Sequence, residues 1–340
     1  MRQSVTNTLR PIRSAIQLAI LEPMPAAPGH TPLLATALAG IPLRNPVLLA
    51  AGTCGTLDEM SDVLDLSRIG GLVSKSITPK PREGNPTWRI LPARAGMLNA
   101  IGLANPGIEA FESHYLPRAA VMQCTLICSV AGFSVEDYVQ VAAALDEWHD
   151  KGVAGIELNI SCPNVKAGTE FGTSPSLTRE VVTAVRAVAK HCKLFAKLSP
   201  TAPELPLIAR AAIEAGIDGL TISNTIPAMA IDVHTREPRL ANTTGGLSGP
   251  ALHPVALRLV HEIYRKVCKD TGTPIMGVGG ITRWEDAAEF ILAGASAVQV
   301  GAALFADPRA PLSIVRGLEK WVRAQRCTNI QELVGSVKLA

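Results

Sequence analysis

The chain has 340 residues, 47% hydrophobic and 18% charged, with a formal net charge of +3. That composition is globular, and roughly three quarters of the unfolded surface of a chain this long can be buried. The charge is too small and too evenly spread to imply a nucleic-acid partner.

Seven cysteines, no secretory signal and no Cys-x-x-Cys pair predict a reducing, cytoplasmic setting without a disulfide framework or a metal site. Residues 1–34 read as an N-terminal extension. Arg2, Arg10 and Arg13 flank a short apolar run at 15–21, followed by a Pro-rich linker at 22–29. The run is too short to cross a membrane. Beyond residue 39 short apolar runs recur at 46–51, 71–75, 126–130, 155–159, 194–198, 219–223, 274–278 and 297–300. Helical patterns lie between them near 58–67, 105–120, 134–150, 176–191, 203–215, 254–270, 283–293 and 308–325, with Val255, Leu259, Val260 and Ile263 on one face. Ser134, Ser176 and Thr282 stand where N-caps belong. Gly152, Gly216 and Gly294 stand where left-handed C-caps belong.

Eight strand–helix pairs with near-continuous apolar strands predict buried parallel structure, most economically an α/β fold of the closed (β/α)8 TIM-barrel type. A single domain at 35–327 is expected, with a short tail at 328–340. In such barrels the chemistry sits at the C-terminal strand ends. Reading only those ends gives Ala51, Lys75 and Ser76, Ser129, Asn159, Lys197, Asn224 and Thr225, Gly279 and Gly280, and Gly301. Two long connections, 77–104 and 226–253, and the stretch 165–175 are expected to wall or cover the site.

Three features carry chemistry. In Glu157-Leu158-Asn159-Ile160-Ser161-Cys162-Pro163-Asn164 a thiol stands between two carboxamides. That arrangement suits a flat hydrogen-bonding ring with a proton acceptor beside it, or a buried structural cysteine at a strand end. Gly277-Val278-Gly279-Gly280-Ile281 and Gly301-Ala302-Ala303, after strands seven and eight, form a phosphate cradle. Lys75 and Lys197 need an anionic partner if their side chains turn inward; otherwise they reach solvent.

Taken together, the motifs resemble the class 1 dihydroorotate dehydrogenases. They are Asn45-Pro46, Ala51-Gly52-Thr53, Val73-Ser74-Lys75-Ser76, Arg82-Glu83-Gly84-Asn85-Pro86, Met97-Leu98-Asn99-Ala100-Ile101-Gly102-Leu103, the Cys162 stretch, Phe195-Ala196-Lys197-Leu198, Ser223-Asn224-Thr225, Gly245-Gly246-Leu247-Ser248-Gly249-Pro250 and Val278-Gly279-Gly280-Ile281. The resemblance implies oxidation of dihydroorotate to orotate in pyrimidine synthesis, with FMN as cofactor. Cys162 would be the base for the C5 proton. Lys75, Asn99, Ala100, Ile101, Gly102, Leu103, Asn159, Asn164, Asn224 and Thr225 would hold substrate. Ala51, Lys75, Ser76, Ser129, Asn159, Lys197, Ser223, Gly249, Gly279, Gly280, Gly301 and Ala302 would hold FMN. Ala51 and Ala302 stand where such enzymes often carry Ser and Thr.

Val165-Lys166, Phe171-Gly172-Thr173 and Ala230-Ile231-Asp232 resemble the 1B branch. That branch implies NAD as final acceptor, reached through a partner subunit carrying FAD and a 2Fe–2S cluster; a homodimer is expected as well. The alternatives are the fumarate-using 1A branch, a dihydropyrimidine dehydrogenase-type uracil reductase, a tRNA dihydrouridine synthase, and a catalytically dead phosphate- or flavin-binding barrel. Asn164 and Lys75 favour orotate over uracil. The absence of a basic domain after the barrel disfavours the tRNA enzyme.

Overall fold

The computed structural model describes residues 32–161 and 171–339. Its centre is a closed eight-stranded barrel, with every neighbouring pair parallel. The strands are β1 (Val47–Leu49), β2 (Gly71–Val73), β3 (Thr125–Val130), β4 (Val153–Asn159), β5 (Lys193–Leu198), β6 (Gly219–Ile222), β7 (Ile275–Val278) and β8 (Ala297–Val300). Each falls on a run expected from the sequence. The ring closes where Val298, Gln299 and Val300 pair with Val47, Leu48 and Leu49.

Most predicted helices form, with their apolar faces inward. Pro175–Val188 buries Thr178, Val181, Val182 and Val185, a spacing of three and four residues. In His253–Ile263 the buried face is Ala256, Leu259, Val260 and Ile263, and Val255 is only partly covered. That helix passes into a π turn at Tyr264–Cys268 rather than running on regularly. The stretch 58–67 is not an α-helix but two short 3-10 turns, Glu59–Asp62 and Leu66–Arg68. Its aspartates compete for backbone donors, as when the Asp65 carboxylate takes the Ser67 N–H at 3.0 Å.

Ser134 caps its helix through the Asp137 N–H at 3.2 Å. Ser176 does not cap, because the helix already starts at Pro175, a favoured first-turn residue. Thr282 does not cap as expected either; Asp286 accepts from the N–H groups of Thr282 and Arg283 instead. Gly152, Gly216 and Gly294 all have positive φ, as C-terminal caps require.

The N-terminal end of the barrel is plugged. Thr36–Leu38 and Ile41–Leu43 form a hairpin, turning at Ala39 and Gly40 with φ of 52° and 88°. Leu38, Ile41 and Leu43 pack on Leu48, Val73, Ile127, Phe195, Met276 and Ala297, the lower interior residues of the strands. The Phe195 ring takes the space of its neighbours: a Cβ on Gly219 would lie 2.8 Å from it. The C-terminal tail is packed, with Ile330 buried and Asn329 Nδ2 donating to the carbonyls of Pro32 and Ala35. Among the described residues no helix is long and apolar enough to cross a membrane.

Candidate active site

The two long connections build a sheet above the barrel. Ile226–Met229, Thr244–Ser248, Gly96–Asn99 and Ile90–Ala93 pair in that order, all antiparallel. Side chains alternate across it. Ile90, Met97, Asn99 and Ser248 face a cavity over the strand ends. Leu91 and Leu98 are buried in a small cluster of their own with Ala100 and Leu240. Gly96 and Gly249 let neighbouring strands of this sheet approach closely, since a Cβ on Gly249 would lie 2.6 Å from the Gly96 Cα.

The cavity encloses about 1280 Å³ of empty space, its open mouth included. Its walls bring together Ala51, Lys75, Ser76, Asn99, Ile101, Gly102, Leu103, Asn159, Lys197, Ser223, Asn224, Thr225, Gly249, Gly279, Gly280, Gly301 and Ala302. Two expected residues stand behind the wall. Ala100 is buried, its N–H given to the Arg89 carbonyl and its carbonyl taken by Asn85 Nδ2. Ser129 is buried and reaches the cavity only through Ser76, Oγ to Oγ at 2.9 Å. Cys162 and Asn164 lie outside the described residues.

A polar chain crosses the mouth. Ser76 Oγ accepts from Asn159 Nδ2 at 3.2 Å. Asn159 Oδ1 accepts from Asn224 Nδ2 at 3.2 Å, and Asn224 also donates to Ser161 Oγ at 2.9 Å. Asn224 Oδ1 takes the Thr225 N–H at 2.9 Å. The backbone of Asn159 is fixed by the Tyr138 hydroxyl, which donates to its carbonyl at 2.9 Å.

On the opposite side the loop at 101–103 is held by Asn105, a buried side chain that sequence reading left without a role. Its Oδ1 accepts from Thr78 N and Gly107 N, and its Nδ2 donates to Leu103 O at 2.7 Å. Gly102 and Leu103 have φ of 73° and 59°. The carbonyls of Ile101, Gly102 and Leu103 are engaged by Asn85, Arg82 and Asn105. Their N–H groups have no acceptor among the described residues.

Gly279 and Gly280 have φ of 143° and 67°. A Cβ on Gly280 would lie 2.7 Å from the Gly249 carbonyl, so the bare backbone forms a concave rim beside Gly301 and Ala302.

A family model described as "Dihydroorotate dehydrogenase" matches residues 33–322. The chain belongs to the dihydroorotate dehydrogenase family. It is 48% identical over 302 residues to a protein of Pelobacter propionicus named dihydroorotate dehydrogenase B (NAD(+)), catalytic subunit, covering 88% of this chain and 97% of that one. A protein of the same name from Citrifermentans bemidjiense is 47% identical over 311 residues, covering 91% and 99%. A Solibacter usitatus relative, provisionally named dihydroorotate dehydrogenase A (fumarate), is 45% identical over 309 residues, covering 91% and 99%. Overall identity therefore does not separate the two acceptor types.

Sequence reading missed a second group, a polar layer inside the barrel below the cavity. Glu157, Thr221 and Gln299 are fully buried there. Lys197 was expected to need an anionic partner if turned inward, and it is turned inward, its side chain 9% exposed. The partner is internal, with Nζ 3.7 Å from Glu157 Oε1. The available signal was a carboxylate and a carboxamide inside strands buried on both faces, where such side chains need partners.

Proposed function

We propose that the chain oxidises dihydroorotate to orotate in pyrimidine synthesis, using FMN. The observation that carries this reading is one cavity joining a glycine rim, two lysines and three asparagine amides at the C-terminal end of a parallel barrel. The donor set fits both guests. A glycine turn with positive φ at Gly279 and Gly280, lining the cavity, suits a phosphate approached by backbone N–H groups. Gly301, Ala302, Ser223 and Gly249 complete its surroundings, while Lys75, Ser76 and Lys197 stand where the flavin ring would lie. When bound, FMN supplies the hydride acceptor.

The amides of Asn99, Asn159 and Asn224, with Asn164 and Thr225, match the two N–H and two C=O groups of the pyrimidine edge to edge. The N–H groups at 101–103 and the Lys75 ammonium suit the carboxylate. Cys162 is assigned the C5 proton. Other thiols are poor bases by comparison: burial pushes Cys54, Cys124, Cys128 and Cys268 up to about 12, and none of them lines the cavity. The chain's own part is thus to hold the ring flat, keep water from it and receive one proton.

The final acceptor is assigned as NAD, through a separate subunit carrying FAD and a 2Fe–2S cluster. Support comes from the 1B-like motifs and from the names of the relatives that are catalytic subunits. A homodimer is assigned as well. An assembly partner is favoured by apolar side chains left uncovered in the connections above the barrel, where Met229, Ile231 and Trp88 are 47%, 55% and 72% exposed. The test is anaerobic reduction of the purified yellow protein. Dihydroorotate bleaches the flavin and dihydrouracil does not; NAD with the partner subunit, not fumarate, then restores the colour. Bleaching by dihydrouracil alone would overturn the substrate, and recovery with fumarate the acceptor.

A further inference from the structure

A carboxylate sealed inside a barrel is costly unless its charge is answered. Glu157 is answered unevenly. Its Oε2 accepts from Thr221 Oγ1 and from Gln299 Nε2, both at 2.8 Å. Its Oε1 has no hydrogen-bond partner and faces Lys197 Nζ at 3.7 Å. Two neutral donors therefore pin one oxygen, and the other is turned toward the lysine. Phe195 and Met276, part of the apolar plug, share the barrel interior with it. The Lys197 side chain is 9% exposed and lines the cavity. Among the described residues the only other ionisable group on that wall is Lys75, which has the same sign.

We propose that Glu157 is a positioning residue: it holds Lys197 protonated and anchored from below, with N–H bonds left for the guest in the cavity. For a flavin the consequence is a fixed cation beside a ring that gains negative charge on reduction. That consequence rests on the FMN reading above, whereas the state of Lys197 does not.

The experiment follows the pH profile of reductive methylation of Lys197 with formaldehyde and cyanoborohydride. It uses the full-length protein, flavin-loaded and flavin-stripped, with peptide mass spectrometry for site resolution. Exposed Lys151 and Lys269 serve as references. Only the neutral amine reacts. In Glu157→Gln the Lys197 midpoint falls by at least one pH unit, so labelling at pH 8 rises at least tenfold relative to the references. Glu157→Asp restores the wild-type midpoint. A merely loosened fold raises labelling at every pH and leaves the midpoint in place, and that result overturns the proposal. Should Glu157→Gln not fold, thermal melts decide: Lys197→Met strands the carboxylate, and Glu157→Gln/Lys197→Met melts higher than Lys197→Met alone. Equal melting temperatures also overturn it. Failure of bound flavin to protect Lys197 from labelling would count against the FMN site and not against Glu157.

Discussion

The carboxamides of Asn159 and Asn224 meet across the end of β5, with Asn224 Nδ2 donating to Asn159 Oδ1 at 3.2 Å. They come from β4 and the end of β6, strands that are not neighbours in the ring. Because Asn159 Nδ2 is committed to Ser76 and Asn224 Oδ1 to the Thr225 N–H, both amides have one orientation before any ligand arrives. A preorganised pair of this kind reduces the ordering that binding must impose.

Asn224→Ala tests that pair. It leaves Asn159 Oδ1 and Ser161 Oγ without their donor. The KM for dihydroorotate is expected to rise at least tenfold, about 1.4 kcal/mol, while flavin content stays at the wild-type level. A KM within twofold of wild type would remove Asn224 from substrate binding.

Cys162→Ser tests the base. Serine holds its proton far more tightly than a thiol, and positioned proton acceptors contribute about 10²–10⁴-fold. Stopped-flow flavin reduction at pH 7 is expected to slow at least 100-fold with FMN retained. An unchanged rate would pass the role to another group.

Gly280→Ala tests the rim. Its φ of 67° is a left-handed conformation that costs an L-residue about 1–2 kcal/mol. The added Cβ also meets the Gly249 carbonyl and the His253 backbone N at 2.7 and 2.9 Å. The ratio of flavin absorbance to protein absorbance is expected to fall below half that of wild type. Full flavin occupancy would place the phosphate elsewhere.

Asp146 tests the outer layer. It ends the helix Val135–Asp146 and accepts from the N–H groups of Lys190, His191 and Cys192, just before β5. Burial alone would raise its carboxyl, but those N–H groups outweigh burial and hold it below the usual 3.8. A depressed folded value means its stabilisation is complete above the unfolded value and lost as pH falls through the folded one. Asp146→Ala is expected to cost about 1–3 kcal/mol at neutral pH. In urea titrations the gap to wild type should close on acidification below about pH 4. A gap independent of pH would show that the charge is not what the loop uses.

The eight strands were legible because each is a short apolar run between turn signals, and parallel barrels bury both strand faces. The motif residues at strand ends were legible for the same reason: the fold says where to look. The upper sheet was not, since its pairing joins residues 90–99 to residues 226–248 and no local pattern encodes such a contact. Glu157, Thr221 and Gln299 were passed over inside runs read as uniformly apolar, although a carboxylate in such a run asks for partners. Ser129 and Ala100, expected at the site, stand one layer behind the cavity wall. Strand-end position alone does not tell a wall residue from the residue supporting it.

The hairpin at Thr36–Leu43 has a kinetic meaning. With its lower end stoppered, the barrel is a cul-de-sac, and whatever enters must back out by the same door. On the FMN reading, a coenzyme seated below the substrate would have to be installed first. A coenzyme in that position stays through many turnovers, and only electrons leave without queuing.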